Sequence, residues 1–222
     1  MRILYINPNS TEAMTDGVVE VARKVAPAGV EVIGWTNAGG PPAIQGPEDG
    51  ASVVPALVGM LPAAREAGAD AIVIACFDDT GLAEMRAAAH CPVFGIGQAG
   101  YVMADAMGHR FSVVTSLAVS VPVIENNIAT QGFKAACVSV RASGLPVLEI
   151  EAGAEPARAR LAEEILAAKG DGASVAVLGC AGMSGLKPDL ARRTGMVLID
   201  GAVAALWLSI AAVSLGADPE AA

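Results

Sequence analysis

Aromatic side chains are scarce in this chain: four Phe, two Tyr and two Trp among 222 residues. That is too few for an aromatic groove, and the 25 glycines point instead to close-packed helices and backbone-lined loops. Histidine is scarcer still, with only His90 and His109, and none of the four cysteines forms a CxxC pair. An ordinary Cys/His zinc site is therefore not expected. Positive charge is also short: 14 basic against 23 acidic side chains give a formal charge of -9, with no basic cluster. A nucleic-acid partner is excluded on that ground. The longest apolar stretch, Gly201 to Gly216, is short for a bilayer span, so no membrane is expected. Met1-Arg2-Ile3 runs directly into a strand, so no secretion signal is expected. The expected compartment is a reducing cytoplasm, with its thiols free for chemistry. A dinucleotide fingerprint is missing too: Gly95-Ile96-Gly97-Gln98-Ala99-Gly100 has the wrong glycine spacing, which rejects NAD.

What is present is a repeated plan. Ala71-Ile72-Val73-Ile74-Ala75 runs into Cys76-Phe77-Asp78-Asp79, and Ser174 to Gly179 runs into Cys180-Ala181-Gly182. Apolar runs of this length read as strands buried on both faces, as in parallel sheets. The two cysteines lie about half the chain apart. Strand 2–7 matches strand 111–115, 71–75 matches 174–178, and 93–96 matches 196–199, each followed by a helix. Stretches 14–25, 51–67, 97–107, 155–169 and 201–215 read as helices, and 36–50 as a polar, Gly- and Pro-rich loop walling a site. The fold class is α/β: two pseudo-symmetric three-layer α/β domains with mostly parallel sheets. Residues 1–108 form the first and 109–222 the second, with closing helices able to cross between them and the site in the cleft.

A cysteine at the end of a buried strand can be no more than a small hydrophobe. Two at equivalent places, each before a turn with free backbone N–H groups, fit a specific reaction. Inverting a carbon acid takes one base on one face and one acid on the other, with roles exchanged in reverse. A thiol of reference pKa about 8.5 serves for both once tuned.

The chain resembles the aspartate/glutamate racemase superfamily, and within it the hydantoin and allantoin racemase family. The stretches that carry this are Ile6 to Thr11, Ile74 to Gly81, Gly95 to Ala99, Arg110 to Thr115, Leu178 to Met183 and Ile199 to Gly201. They run in order through almost the whole chain. The resemblance implies a cofactor-independent racemase of a 5-substituted hydantoin or related cyclic ureide, usually a homo-oligomer, with Cys76 and Cys180 as the acid/base pair. Allantoin as substrate, a maleate isomerase- or decarboxylase-like reaction, and a non-catalytic small-molecule binder stand as alternatives. Thr80 occupies a place where most relatives are expected to carry proline.

The other candidate substrate contacts each have a bland rival. Asn9 and Ser10, with Asn7 and Thr11, could bind ring N–H and C=O groups or only cap the first helix. Thr115 and Ser116 occupy the matching place in the second half and face the same choice. Ile44 is a wall for the ring substituent or a loop anchor, and Phe77 a ring contact or core. Ala181 and Gly182 offer backbone donors. Asp78 and Asp79 read first as caps or solvent-facing turn residues and second as a general-base pair, with a buried charge there working against a Cys76 thiolate. Cys91 and Cys137 read as core, His90 and His109 as structural, and Asp200 as the cap of the closing helix. Gly97 and Gly201 read as tight-turn residues.

Overall fold

The computed structural model describes residues 1–216; positions 217–222, assigned above to the second half, lie outside the described residues. The first half runs β1 (Arg2–Asn7), α1 (Glu12–Val25), β2 (Glu31–Thr36), α2 (Pro47–Gly59), α3 (Leu61–Glu66), β3 (Ala71–Ile74), α4 (Leu82–Ala88), β4 (Val93–Gly95) and α5 (Ile96–Ala106). The second runs β5 (Phe111–Thr115), α6 (Val121–Thr130), β6 (Cys137–Ala142), α7 (Val147–Ala152), α8 (Glu155–Gly170), β7 (Val175–Gly179), α9 (Lys187–Thr194), β8 (Val197–Asp200) and α10 (Gly201–Ser214). Short 3-10 turns at Ala118–Ser120 and Ala181–Leu186 lead into α6 and α9.

Each half makes one four-stranded parallel sheet, in the orders β2-β1-β3-β4 and β6-β5-β7-β8. The internal repeat read from the strands is thus a repeat of topology. In such an order the connections leave β1 and β3, and likewise β5 and β7, in opposite directions. The carboxyl ends of those pairs open a crevice. All four segments singled out above leave from these points: Asn9 after β1, Cys76 after β3, Thr115 at the end of β5 and Cys180 after β7.

Alternation places the strands between two apolar layers. In β1, Ile3 and Tyr5 face one layer while Leu4 and Ile6 face the other. The outer layer of the first sheet holds Ile72, Ile74, Leu57 and Met85 under α2 to α4. The inner layer continues from Tyr5 and Val73 through Phe77, Tyr101 and Phe111 to Val177 and Ala205. One core therefore serves both sheets. It is filled by an exchange of helices: α10 packs along α5 and against α1, β3 and β4, while α5 packs on β7 and β8. Tyr5 Oη donates to the Ala202 carbonyl at 2.8 Å, tying β1 to the start of α10.

Several boundaries differ from the sequence reading. The expected 51–67 helix is two helices, because Pro62 sits in the first turn of α3 and ends the run at Met60. Pro47 at the start of α2 shortens the expected 36–50 loop. Helix α7 follows Pro146 within a stretch that showed no helical period. The glycine reading changes as well. Neither Gly97 nor Gly201 has positive φ; close approach excludes a side chain there. A Cβ on Gly97 would lie 2.3 Å from the Phe77 carbonyl, and one on Gly201 2.0 Å from that of Ile96. No helix among the described residues is long and apolar enough to cross a membrane.

Candidate active site

The turn after β3 departs from a plain strand-to-helix link at Asp79, the one described non-glycine residue with positive φ, at 51°. Aspartate tolerates that region better than most residues. The conformation is held because the Asp79 carboxylate accepts from the backbone N–H groups of Gly97 at 2.8 Å and Gln98 at 2.7 Å. It thereby satisfies the first turn of α5 from another loop. A Cβ on Gly95 would lie 2.0 Å from the same carboxylate. The Gly95-Ile96-Gly97 pattern is thus a seat for Asp79. Burial pushes the Asp79 carboxyl up to about 7, opposed by those two amides. The sequence expectation of a solvent-facing turn residue is corrected here: Asp79 is buried.

Fixing Asp79 turns Cys76, Phe77 and Asp78 toward the other half. Cys76 and Cys180 line a single cavity together with Asn9, Ile44, Phe77, Asp78, Thr115, Ser116 and Ala181. Its volume is about 30 Å³, and it is partly open. Gln45 Oε1 accepts from Val147 N–H at 3.1 Å, joining the Ile44 loop of the first half to α7 of the second. Of the expected contacts, Ser10 and Gly182 stand outside the lining. Ser10 N–H instead donates to the Pro41 carbonyl at 2.9 Å.

The environments of the two thiols differ. Burial first, and then the Asp78 carboxylate, raise the Cys76 thiol far above its ordinary value. The Thr80 hydroxyl, which donates to Sγ at 3.4 Å, and the Asp78 backbone amide pull it back, while the neighbouring Cys180 adds a small upward push. Cys180 is pushed up to about 12 by burial, against the Gly182 amide and with help from Asp78 and Glu151. Gly182 thus acts on the sulfur rather than on the cavity. Thr80, the departure noted in the sequence, supplies a donor that proline lacks.

Asn7 and Asn9 form a buried network rather than a helix cap. Asn9 Oδ1 accepts from Asn7 Nδ2 and from Thr11 N–H, both at 2.9 Å. That fixes the amide orientation and leaves Asn9 Nδ2 facing only the Met14 thioether at 3.2 Å, a weak acceptor. Asn9 Nδ2 is therefore a donor at the cavity wall that meets no strong acceptor among the described residues. Thr115 Oγ1 donates to the Gly179 carbonyl at 2.8 Å, so toward the cavity it is an acceptor. Phe77 is buried and meets Tyr101 edge-on, with ring centroids 5.7 Å apart.

The sequence reading passed over Met14, Ser120, Val147 and Gly179, which also line the cavity. No motif marks Met14, Ser120 or Val147, since helix starts and turns far apart in the chain bring them in, whereas Gly179 ends the β7 strand just before Cys180. The other cysteines stay out of it: Cys91 is core, and Cys137 is half-buried on the edge strand β6. His90 Nε2 lies 3.0 Å from the Ala69 carbonyl, and His109 Nδ1 3.2 Å from Ser174 Oγ. Among the described residues no group of three or more His, Cys, Asp or Glu is placed to hold a metal.

Fold and site define a two-sheet α/β protein with a thiol following a strand of each sheet and lining one shared, partly open cavity. The chain belongs to the Asp/Glu/hydantoin racemase family, whose model matches residues 3–209, and its activity is of the racemase type. A hydantoin racemase of Rhizobium meliloti is 42% identical over 217 residues, 97% of this chain and 90% of that protein. The structure of an allantoin racemase from Klebsiella pneumoniae is similar with a TM-score of 0.93 at 37% identity, covering 99% of this chain and 90% of that one. An allantoin racemase from Pseudomonas fluorescens gives 0.90 at 34%, covering 99% and 93%.

Proposed function

We propose that the protein racemises a five-membered cyclic ureide at C5 by proton exchange between Cys76 and Cys180. The observation that carries this is the opening of both sulfurs on one small cavity where the two halves meet. One cysteine, as thiolate, takes the C5 proton and becomes a thiol, and the electron pair passes into the adjacent carbonyl as an enolate. The opposite thiol delivers its proton to the other face of C5 and is left as the thiolate. Charge moves from one sulfur to the other, and the reverse reaction exchanges their roles. Asn9 Nδ2 is the donor best placed for the enolate oxygen. The adjacent ring carbonyl activates the C5 proton, so no cation is needed to offset an α-carboxylate.

Two substituents at C5 remain in play. A ureido group, making the substrate allantoin, is supported by Asp78, Ser116 and Ser120 in the lining and by the likeness to two allantoin racemase structures. An alkyl group is supported by Met14, Ile44 and Val147 and by the hydantoin racemase relative. A reaction on a dicarboxylate is disfavoured, since neither Lys nor Arg lines the cavity.

Pure enantiomers of allantoin and of 5-alkyl and 5-benzyl hydantoins, followed by polarimetry in deuterium oxide, test the reading. Rotation should decay with deuterium entering C5. Cys76→Ala and Cys180→Ala should each lower the rate by about 10²–10⁴-fold without changing the far-UV circular dichroism. Decay no faster than the uncatalysed rate for every substrate would sink the proposal.

A further inference from the structure

One strong acceptor inside the cavity has no structural employment. The Asp79 carboxylate accepts two backbone amides. That of its neighbour Asp78 accepts none, and its one partner is Ser120 Oγ at 3.5 Å. The Asp78 backbone, by contrast, is firmly placed, its carbonyl accepting from Asn127 Nδ2 at 2.9 Å. The side chain is thus held by the second half and presented to the cavity. Its presence there works against the chemistry, because its charge raises both thiols. A carboxylate that caps nothing, pairs with no cation and hinders both thiolates calls for a role toward the ligand.

Resting on the racemase reading above, we infer that Asp78 is the recognition residue of the site, its carboxylate accepting an N–H of the cyclic ureide. A ureide carries N–H donors beside its carbonyls, and among the described residues Asp78 is the one charged acceptor in the lining, the hydroxyls of Thr115, Ser116 and Ser120 being neutral. Asn9 offers a donor, and the Thr115 hydroxyl has an acceptor lone pair but no charge. A charged acceptor in a small, partly open cavity makes the stronger hydrogen bond, and it is left unpaired when a ligand lacks the donor. Substrate N–H groups also offset the negative field that Asp78 imposes on the two sulfurs, so binding and thiolate formation assist each other.

The test is a cycle between ligand and residue. Wild type, Asp78→Asn and Asp78→Ala are assayed with a 5-substituted hydantoin and its N1-methyl and N3-methyl derivatives. Wild type should discriminate against one N-methyl derivative by about 10- to 100-fold in kcat/KM, and Asp78→Ala should lose most of that discrimination. Asp78→Asn, equal in size but uncharged, should lie between them. Discrimination undiminished in Asp78→Asn would mean steric exclusion and overturn the inference. So would an equal loss on all three ligands, the mark of a purely structural residue. The titratable groups facing Asp78 are Cys76 in its own turn, Cys180 after β7 and Tyr101 on α5. Burial pushes the Asp78 carboxyl up to about 6, so wild-type KM should rise as pH falls through that value and the Asp78→Asn profile should stay flat there. A flat wild-type profile counts against the charged acceptor. Failure of the racemase reading is separate: wild type would then racemise none of the ligands.

Discussion

At the residue scale the site is a contest between burial and hydrogen bonding at two sulfurs. Both are largely removed from water, Cys180 more than Cys76, which opposes the thiolate that proton abstraction needs. The donors differ, and Cys76 alone receives a side-chain hydroxyl, from Thr80 at 3.4 Å. Thr80→Val removes that donor and keeps the shape. A hydrogen bond to a charged group is worth about 1.5–3 kcal/mol, and the length here argues for the lower end. The acid limb of kcat/KM should therefore move up by about one pH unit, and Thr80→Ser should restore it. An unchanged limb would show that the hydroxyl does not act on the thiolate. Thr80 was legible as a departure from the family pattern, but its effect was not, because a hydroxyl four positions along reaches the sulfur only through the turn that Asp79 imposes.

At the element scale, the turn after β3 and the start of α5 are one unit. The Asp79 carboxylate serves as the remote cap of α5, in the way that Asp200, as expected from sequence, caps α10 by accepting from Ala202 N–H at 2.9 Å. The Asp79 arrangement carries a pH signature. Its folded carboxyl lies at about 7, above the unfolded value of about 3.9. The folded state thus binds the proton more tightly, and its contribution is full below about pH 4 and is lost as pH rises through about 7. Urea midpoints of the wild type should fall across that window by more than those of Asp79→Asn. The variant is also expected to be less stable by about 1–3 kcal/mol at low pH, because an amide accepts one of the two N–H groups and opposes the other. Parallel pH dependences would refute the assignment. Here the cap reading of Asp79 holds, and the solvent-facing one fails for a physical reason. Consecutive Asp-Asp reads as a polar surface turn, and only the fold brings Gly97 and Gln98 over it.

At the scale of the whole molecule, the two sheets are equivalent but not independent. Helices α5 and α10 fill the space between them, and one apolar layer runs through both. A fragment of residues 1–108 would lack α10 and expose the inner face of its sheet. It should therefore fail to give a cooperative unfolding transition, whereas the full chain should give a single one. Independent folding of that fragment would make the halves true domains.

The sequence by itself determined the strands, their order of repetition, the two thiols and the family, because buried parallel strands are written as apolar runs and the residues at their ends are local. Only the tertiary structure decided that both sulfurs line one cavity, that Asp78 enters it while Asp79 leaves it, and that the last helix of each half belongs to the core of the other. Those features depend on contacts between segments far apart in the chain, 102 residues for Gln45 with Val147 and 197 for Tyr5 with Ala202. Local propensity and hydrophobic period carry no record of such pairings.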